Sequence, residues 1–101
     1  MKKTVYTKRR EFGNICAVAV IGERIRGAKA DGWLYRIKPY GTPIIIDAET
    51  GLAIVIGGTR DELIKRFCDP KEQSRLDECK KTAEYKSLAK EFHEMILNAQ
   101  S

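Results

Sequence analysis

The first half of the chain reads as β-strands separated by turn signals. A polar, alternating stretch over residues 4–12 predicts an edge strand. Residues 15–21 are apolar at every position, which predicts a strand covered on both faces. Residues 33–38 alternate between apolar and polar side chains, as in a half-buried strand.

The clearest local signal is a β-hairpin. Two apolar runs, residues 44–46 and 52–56, flank a turn that begins at Asp47 and ends at Gly51. Asp favours the start of a turn, and Gly supplies the positive φ that a type I turn with a bulge requires. Both runs are apolar throughout, so we expect this hairpin to be central in the sheet.

Helix signals begin directly after the last strand. Thr59 and Glu62 have the spacing of a capping box. The first helix is expected to end near Cys68, because Pro70 disfavours helical geometry at the residue before it. Asp69 is then the N-cap of a second helix that runs to about residue 98.

The second helix changes its apolar side along its length. Its early apolar positions, such as Leu76 and Cys79, lie nearly opposite the later ones. This pattern predicts either a kink at residues 82–86 or two halves that contact different partners. The later apolar side consists of Tyr85, Leu88, Ala89, Phe92, Met95, Ile96 and Ala99.

These elements predict an α+β fold: a mainly antiparallel sheet of four to five strands followed by two C-terminal helices. The 101 residues are expected to form a single domain, strand-rich over 1–58 and helical over 59–101. The predicted core contains Ile15, Ala17, Val18, Val20, Ile21, Trp33, Ile44, Ile46, Leu52, Ile54, Ile56, Leu63, Ile64 and Phe67.

Charge is distributed unevenly between the two halves. The net charge of +5 divides into +7 for residues 1–40 and −2 for residues 41–101. Such asymmetry indicates a surface for nucleic acid or an acidic partner, although Lys and Arg at strand edges also simply prevent aggregation. The candidate binding residues are Lys8, Arg9, Arg10, Arg24, Arg26, Arg36 and Lys38.

Chain length bears on association. A chain of 101 residues offers two ways to cover the second face of an apolar sheet. These are the late half of its own C-terminal helix or a second subunit. Because closed dimers are the commonest assembly, we expect a homodimer. The self-association residues are Tyr85, Leu88, Phe92, Met95 and Ile96.

Catalytic and metal signals are weak. His93 is the single histidine, and the three cysteines lack metal-ligand spacing, so no metal or cofactor is expected. The segment Gly57-Gly58-Thr59 could hold a phosphate at a helix start. A tight strand-to-helix turn explains it better, because no P-loop spacing or Lys follows.

The expected function is that of a small non-catalytic binding module, not an enzyme, acting through protein–protein association. Nucleic-acid binding by the basic sheet face is the alternative. A metal-independent ribonuclease, using Tyr6, Arg9, Arg10 and Glu11, is the weaker alternative. The longest apolar run is too short to span a membrane and no targeting segment is evident, so we expect a cytoplasmic protein.

Overall fold

A computed structural model of the chain describes residues 1–37 and 41–100. Strands occupy the first part of the chain and helices the second, as the pattern predicts. In chain order the elements are β1 (Lys2–Glu11), β2 (Asn14–Ile25), β3 (Gly32–Ile37), β4 (Thr42–Ile46), β5 (Ala53–Ile56), α1 (Arg60–Phe67), α2 (Pro70–Lys80) and α3 (Ala83–Gln100).

The strands form one antiparallel sheet in the order β1-β2-β3-β4-β5. The α+β class and the antiparallel sheet are thus confirmed. The expectation that the β4–β5 hairpin is central is wrong, because β5 is an edge strand. The prediction of two helices is wrong, because the described residues contain three. Thr82 divides the second predicted helix: its hydroxyl donates to the Cys79 carbonyl (2.8 Å) and accepts from the Tyr85 N–H (3.1 Å). The break lies at the edge of the 82–86 stretch, where the apolar side changes.

Local turn and cap chemistry follows the sequence closely. Gly51 has φ +71°, and its N–H donates to the Asp47 carbonyl at 2.7 Å. The Thr59 hydroxyl accepts the N–H at the third position of α1 (3.2 Å). The Asp69 carboxylate accepts the N–H at the second position of α2 (2.9 Å). These bonds join residues a few positions apart, so they form wherever the local sequence permits.

The sheet is strongly curled. The Thr7 hydroxyl and the Lys8 N–H both donate to the carbonyl of Gly51, at 3.2 and 3.0 Å, although β1 is three strands away from β4. Val5 of β1 consequently packs with side chains of β3 and β4 on the concave face. That concave core consists of Val5, Trp33, Tyr35, Ile44 and Ile46.

The opposite, convex face is covered by helices. Leu63 and Phe67 of α1 and Leu76 of α2 pack against β3, β4 and β5. Helix α3 lies against β2, and its Phe92 has no exposed surface. The Phe92 ring can pack against position 51 only because that residue is glycine: a Cβ atom there would lie 2.4 Å from the ring and clash with it. The curl buries the concave core, and the three helices cover part of the convex face.

Four predicted core residues are exposed instead. Ile15 and Ile21 of the apolar run are 55% and 65% exposed, and Leu52 and Ile56 are also exposed. The prediction that β2 is covered on both faces is therefore wrong. β2 pairs with β1 at ten positions but with β3 at only three, so residues 14–22 lie in a two-stranded part of the sheet and less of the molecule packs against them.

Candidate binding cleft between the second and third strands

The strands β2 and β3 separate soon after the loop that joins them. Their ladder contains the pairs Glu23–Leu34, Arg24–Trp33 and Ile25–Gly32 and extends no further among the described residues. Beyond it, β2 continues along β1, and β3 continues along β4. The two strands thereby enclose a cavity of about 650 Å³, which we call the open cleft. Its lining consists of Lys2, Arg9, Ala19, Val20, Ile21, Glu23, Leu34, Tyr35, Arg36 and Arg60.

The root of the open cleft is held by a buried glutamine. Gln73 of α2 is 1% exposed, and its Oε1 accepts the N–H groups of Lys29 (2.9 Å) and Ala30 (2.8 Å) in the β2–β3 loop. Its Nε2 donates to the Phe67 carbonyl (3.0 Å). Both polar atoms of the Gln73 amide thus have hydrogen-bond partners, and they attach the β2–β3 loop to the helical layer.

A second contact stiffens the same loop. The Arg24 guanidinium donates through Nε to Asp31 Oδ2 at 3.0 Å, and the N–H of Gly27 donates to Asp31 Oδ1 at 3.2 Å. The hydrogen bond from Arg24 lowers the pKa of Asp31, because it favours the charged carboxylate. Arg24 is thus committed to loop structure rather than to the open cleft.

The open cleft is basic. Of the described residues that line it, four are cationic (Lys2, Arg9, Arg36, Arg60) and one, Glu23, is acidic. Glu23 is bound by the Arg60 guanidinium, whose hydrogen bonds lower the pKa of that carboxyl and keep it charged. This pair leaves the positive charge of three further cations at the cleft.

The remaining cations are only loosely engaged. Arg9 lies 3.9 Å from Glu11, and both side chains are about two-fifths exposed. Arg36 is exposed and donates to the backbone carbonyl of Gly41 at 2.9 Å. The exposed Arg9–Glu11 pair contributes little, and Arg36 holds a neutral carbonyl rather than a carboxylate, so both guanidinium groups can take an incoming anion as a charged partner.

A second concavity of about 630 Å³ lies between β1 and the β4–β5 hairpin. It shares Arg9 and Tyr35 with the open cleft and adds Lys8 and Arg10 at its rim. Arg9 therefore stands between the two concavities. Together they extend the basic surface along β1.

The predicted basic residues do not converge on one face. Arg9 and Arg36 line the open cleft, and Arg10 borders the second concavity. Lys8 also lies above the Phe92 ring, 5.7 Å from its centre. The others lie elsewhere: Arg24 pairs with Asp31, Arg26 is exposed beside the loop, and Lys38 lies outside the described residues.

Sequence reasoning missed two cations of the open cleft. Lys2 adds to the charge of the first half, but no pattern around it indicates a site. Arg60 has the pattern of an ordinary first residue of a helix. The contact of Arg60 with Glu23 joins residues 37 positions apart. No local pattern carries that information.

The predicted self-association residues are largely used within the chain. Phe92 is fully buried, and the Tyr85 hydroxyl lies 2.6 Å from Asp47 Oδ2 and 3.1 Å from Glu49 Oε2. Burial and these carboxylates hold the pKa of Tyr85 well above its ordinary value, so the phenol stays neutral. Of the other three, Leu88 is exposed and Met95 and Ile96 are half-buried. Self-association through α3 stays a prediction that rests on these three side chains.

The glycine turn before α1 is an unfavourable anion site. Gly57 and Gly58 have φ values of +89° and +84°, and the Thr59 hydroxyl already binds the Glu62 N–H. The Glu62 carboxylate lies against Gly58, where a built Cβ atom would be 2.9 Å from its oxygen. Negative charge therefore already occupies the place that a phosphate would need.

Candidate chemistry is sparse elsewhere. Alternation along β1 places Arg9 and Glu11 on one face and Tyr6 and Arg10 on the other, so the residues of the ribonuclease hypothesis do not face one point. Within residues 1–37 and 41–100, no three His, Cys, Asp or Glu side chains are grouped to share a metal ion. No helix in the described part of the chain is long and apolar enough to cross a bilayer.

Comparisons with protein-family models, curated proteins and solved structures found no match for this chain. The open cleft is therefore interpreted from its own geometry and charge.

Proposed function

We propose that the protein is a non-catalytic binding module that takes an acidic segment of a partner protein in the open cleft. The observation that carries this proposal is the composition of the cleft, with four cations and one already paired carboxylate around an apolar lining. Complementary charge guides encounter and selects the partner, whereas buried apolar contact supplies affinity.

The size of the open cleft supports a short segment as its occupant. Its volume of about 650 Å³ lies within the roughly 300–1,000 Å³ range of ligand sites. Ile21, 65% exposed, and the exposed Ala19 offer apolar contact beside the cations. A segment with alternating acidic and apolar side chains matches both features.

Nucleic-acid binding is the alternative, and the aromatic residues of the sheet favour it less. Bases stack on exposed rings, whereas Trp33 and Tyr35 are each 8% exposed and the fully exposed Phe12 lines neither concavity. The basic residues also divide between two concavities and a structural ion pair rather than forming one phosphate-binding track. Self-association through α3 and a cytoplasmic location stay proposals as well.

Fluorescence anisotropy with two labelled octapeptides tests the proposal. One peptide alternates Glu and Val, the other alternates Lys and Val, and both have blocked ends. We expect the acidic peptide to bind at least about ten-fold more tightly, since the net charge of the cleft favours it. Equal binding of the two peptides would overturn the proposal. So would a single-stranded or duplex oligonucleotide that binds more tightly than the acidic peptide.

A pair of matched variants locates the site. Arg9→Ser with Arg36→Ser removes two cations of the open cleft, and Lys86→Ser with Lys90→Ser removes two exposed cations of α3. Both lower the net charge equally. We expect about a ten-fold loss of acidic-peptide affinity for the first pair and little change for the second. Equal losses would show that net charge alone attracts the peptide, which contradicts a site at the cleft.

A further inference from the structure

We propose that the acidic segment binds as an added β-strand on the open edge of β2. This inference rests on the function proposed above and concerns the manner of binding. Its basis is the divergence of β2 from β3 together with the composition of the edge that this divergence uncovers.

The open edge comprises residues 14–22. Throughout this stretch β2 pairs with β1 on one side, and its ladder to β3 begins only at Glu23. In a strand, backbone N–H and C=O groups point alternately to the two neighbours, so about half of those in residues 14–22 point away from β1. Such groups are the template on which extended peptides add as strands.

The sequence of this edge lacks the usual protection against pairing. Proteins protect exposed edges with charged side chains, proline or bulges. Residues 15–22 contain neither a charged residue nor a proline, and their ladder with β1 runs without a register shift. Ile15 and Ile21 are each more than half exposed. Nothing in the sequence of this edge therefore opposes pairing with a further strand.

Charge distinguishes an acidic partner from a second copy of this chain. The cations around the edge, which include Lys2, Arg9 and Arg36, would face their own counterparts if two copies paired through β2. Bringing two sets of like charges into one region is repulsive, so charge disfavours a second copy. The register places Lys2 and Arg36 on one face of the sheet and Val20 and Tyr35 on the other. An added strand can therefore turn its carboxylates to the cations and its alternate apolar positions to the apolar lining of the cleft.

N-methylated forms of the Glu-Val octapeptide test strand addition. In one form the Glu amides are methylated, in the other the Val amides, so charge and methyl content stay equal. An added strand presents one alternate set of N–H groups to β2. We therefore expect one form to bind at least about ten-fold more weakly and the other to bind nearly as well as the parent.

Amide hydrogen exchange followed by NMR supplies an independent readout. With the acidic peptide bound, we expect slower exchange at alternate amides of residues 15–21 and no change at the amides of α2. Binding of the parent peptide with no preference between the methylated forms, or without protection of these amides, would overturn strand addition while the proposed function stands. Failure of the acidic peptide to bind would remove both. A dimer that the peptide dissociates by competing for β2 would identify a second copy as the occupant and overturn the proposal.

Discussion

Replacing Phe12 by Asn should stabilise the fold. Phe12 and Gly13 form the two-residue turn between β1 and β2, closed by the pair Glu11–Asn14, and both have positive φ (+50° and +82°). Two-residue turns of this kind strongly favour Asn-Gly. Phe12 is fully exposed, so the substitution removes no buried contact.

The magnitude follows from backbone strain. A left-handed conformation costs an L-residue other than glycine roughly 1–2 kcal/mol, and Asn adopts it several-fold more readily than most residues. We therefore expect a gain of about 1 kcal/mol in the free energy of unfolding. For a domain of this size that raises Tm by roughly 4–8 °C.

Urea unfolding followed by far-UV circular dichroism measures this gain, with the m-value expected to stay unchanged. Phe12→Ala is the control, because alanine keeps the strained φ and should leave stability close to that of the parent. If Phe12→Asn proves no more stable than Phe12→Ala, strain at the turn is not the cause and the reasoning fails.

Four further predictions concern the supports of the fold and its assembly. Gln73→Met leaves the buried Ala30 N–H and Phe67 carbonyl and the part-buried Lys29 N–H without this partner, so we expect a loss of about 2 kcal/mol or more in urea unfolding, and a loss below about 1 kcal/mol would contradict it. Tyr85→Phe removes the donor to the buried Asp47 carboxylate and should cost roughly 1.5–3 kcal/mol, with unchanged stability as the contrary result. Hydrogen bonding from Arg24 lowers the pKa of Asp31 in the folded protein. The Arg24–Asp31 interaction therefore contributes fully to the free energy of unfolding above the ordinary carboxyl pKa of about 3.9, and this contribution is lost as pH falls through the lower folded pKa. The stability difference between the parent and Asp31→Asn should therefore shrink below pH of about 4, and a constant difference would refute this. Sedimentation at micromolar concentration should show the predicted dimer, and a monomeric mass would exclude it.

Several elements could be predicted from the sequence because their causes lie within a few residues. The turn from Asp47 to Gly51 follows from an Asp that accepts local N–H groups and a glycine that tolerates positive φ. The caps Thr59 and Asp69 depend likewise on hydrogen bonds that span two or three positions. Such contacts need no knowledge of the rest of the fold.

The apolar run over residues 15–21 shows where composition misleads. An apolar run over residues 15–21 indicated burial on both faces, yet Ile15 and Ile21 are exposed. The chain covers its concave face by curling, which carries Val5 onto Trp33, and it covers part of β2 with Phe92. Curling is a property of the whole sheet, so residue counts alone do not show which faces the chain covers by itself.

The sequence by itself determined the class of the fold, the succession of strands before helices along the chain, several caps and turns, and the excess of positive charge in the first half. Only the tertiary structure decided where β2 leaves β3, and therefore that a cleft exists. It also decided which cations meet there, bringing Lys2 and Arg60 to Arg9 and Arg36 while Arg24 turns to Asp31. The physical reason is the sequence separation of the contacts. Caps and turns are made by residues a few positions apart, whereas the cleft depends on where segments distant in sequence stop pairing.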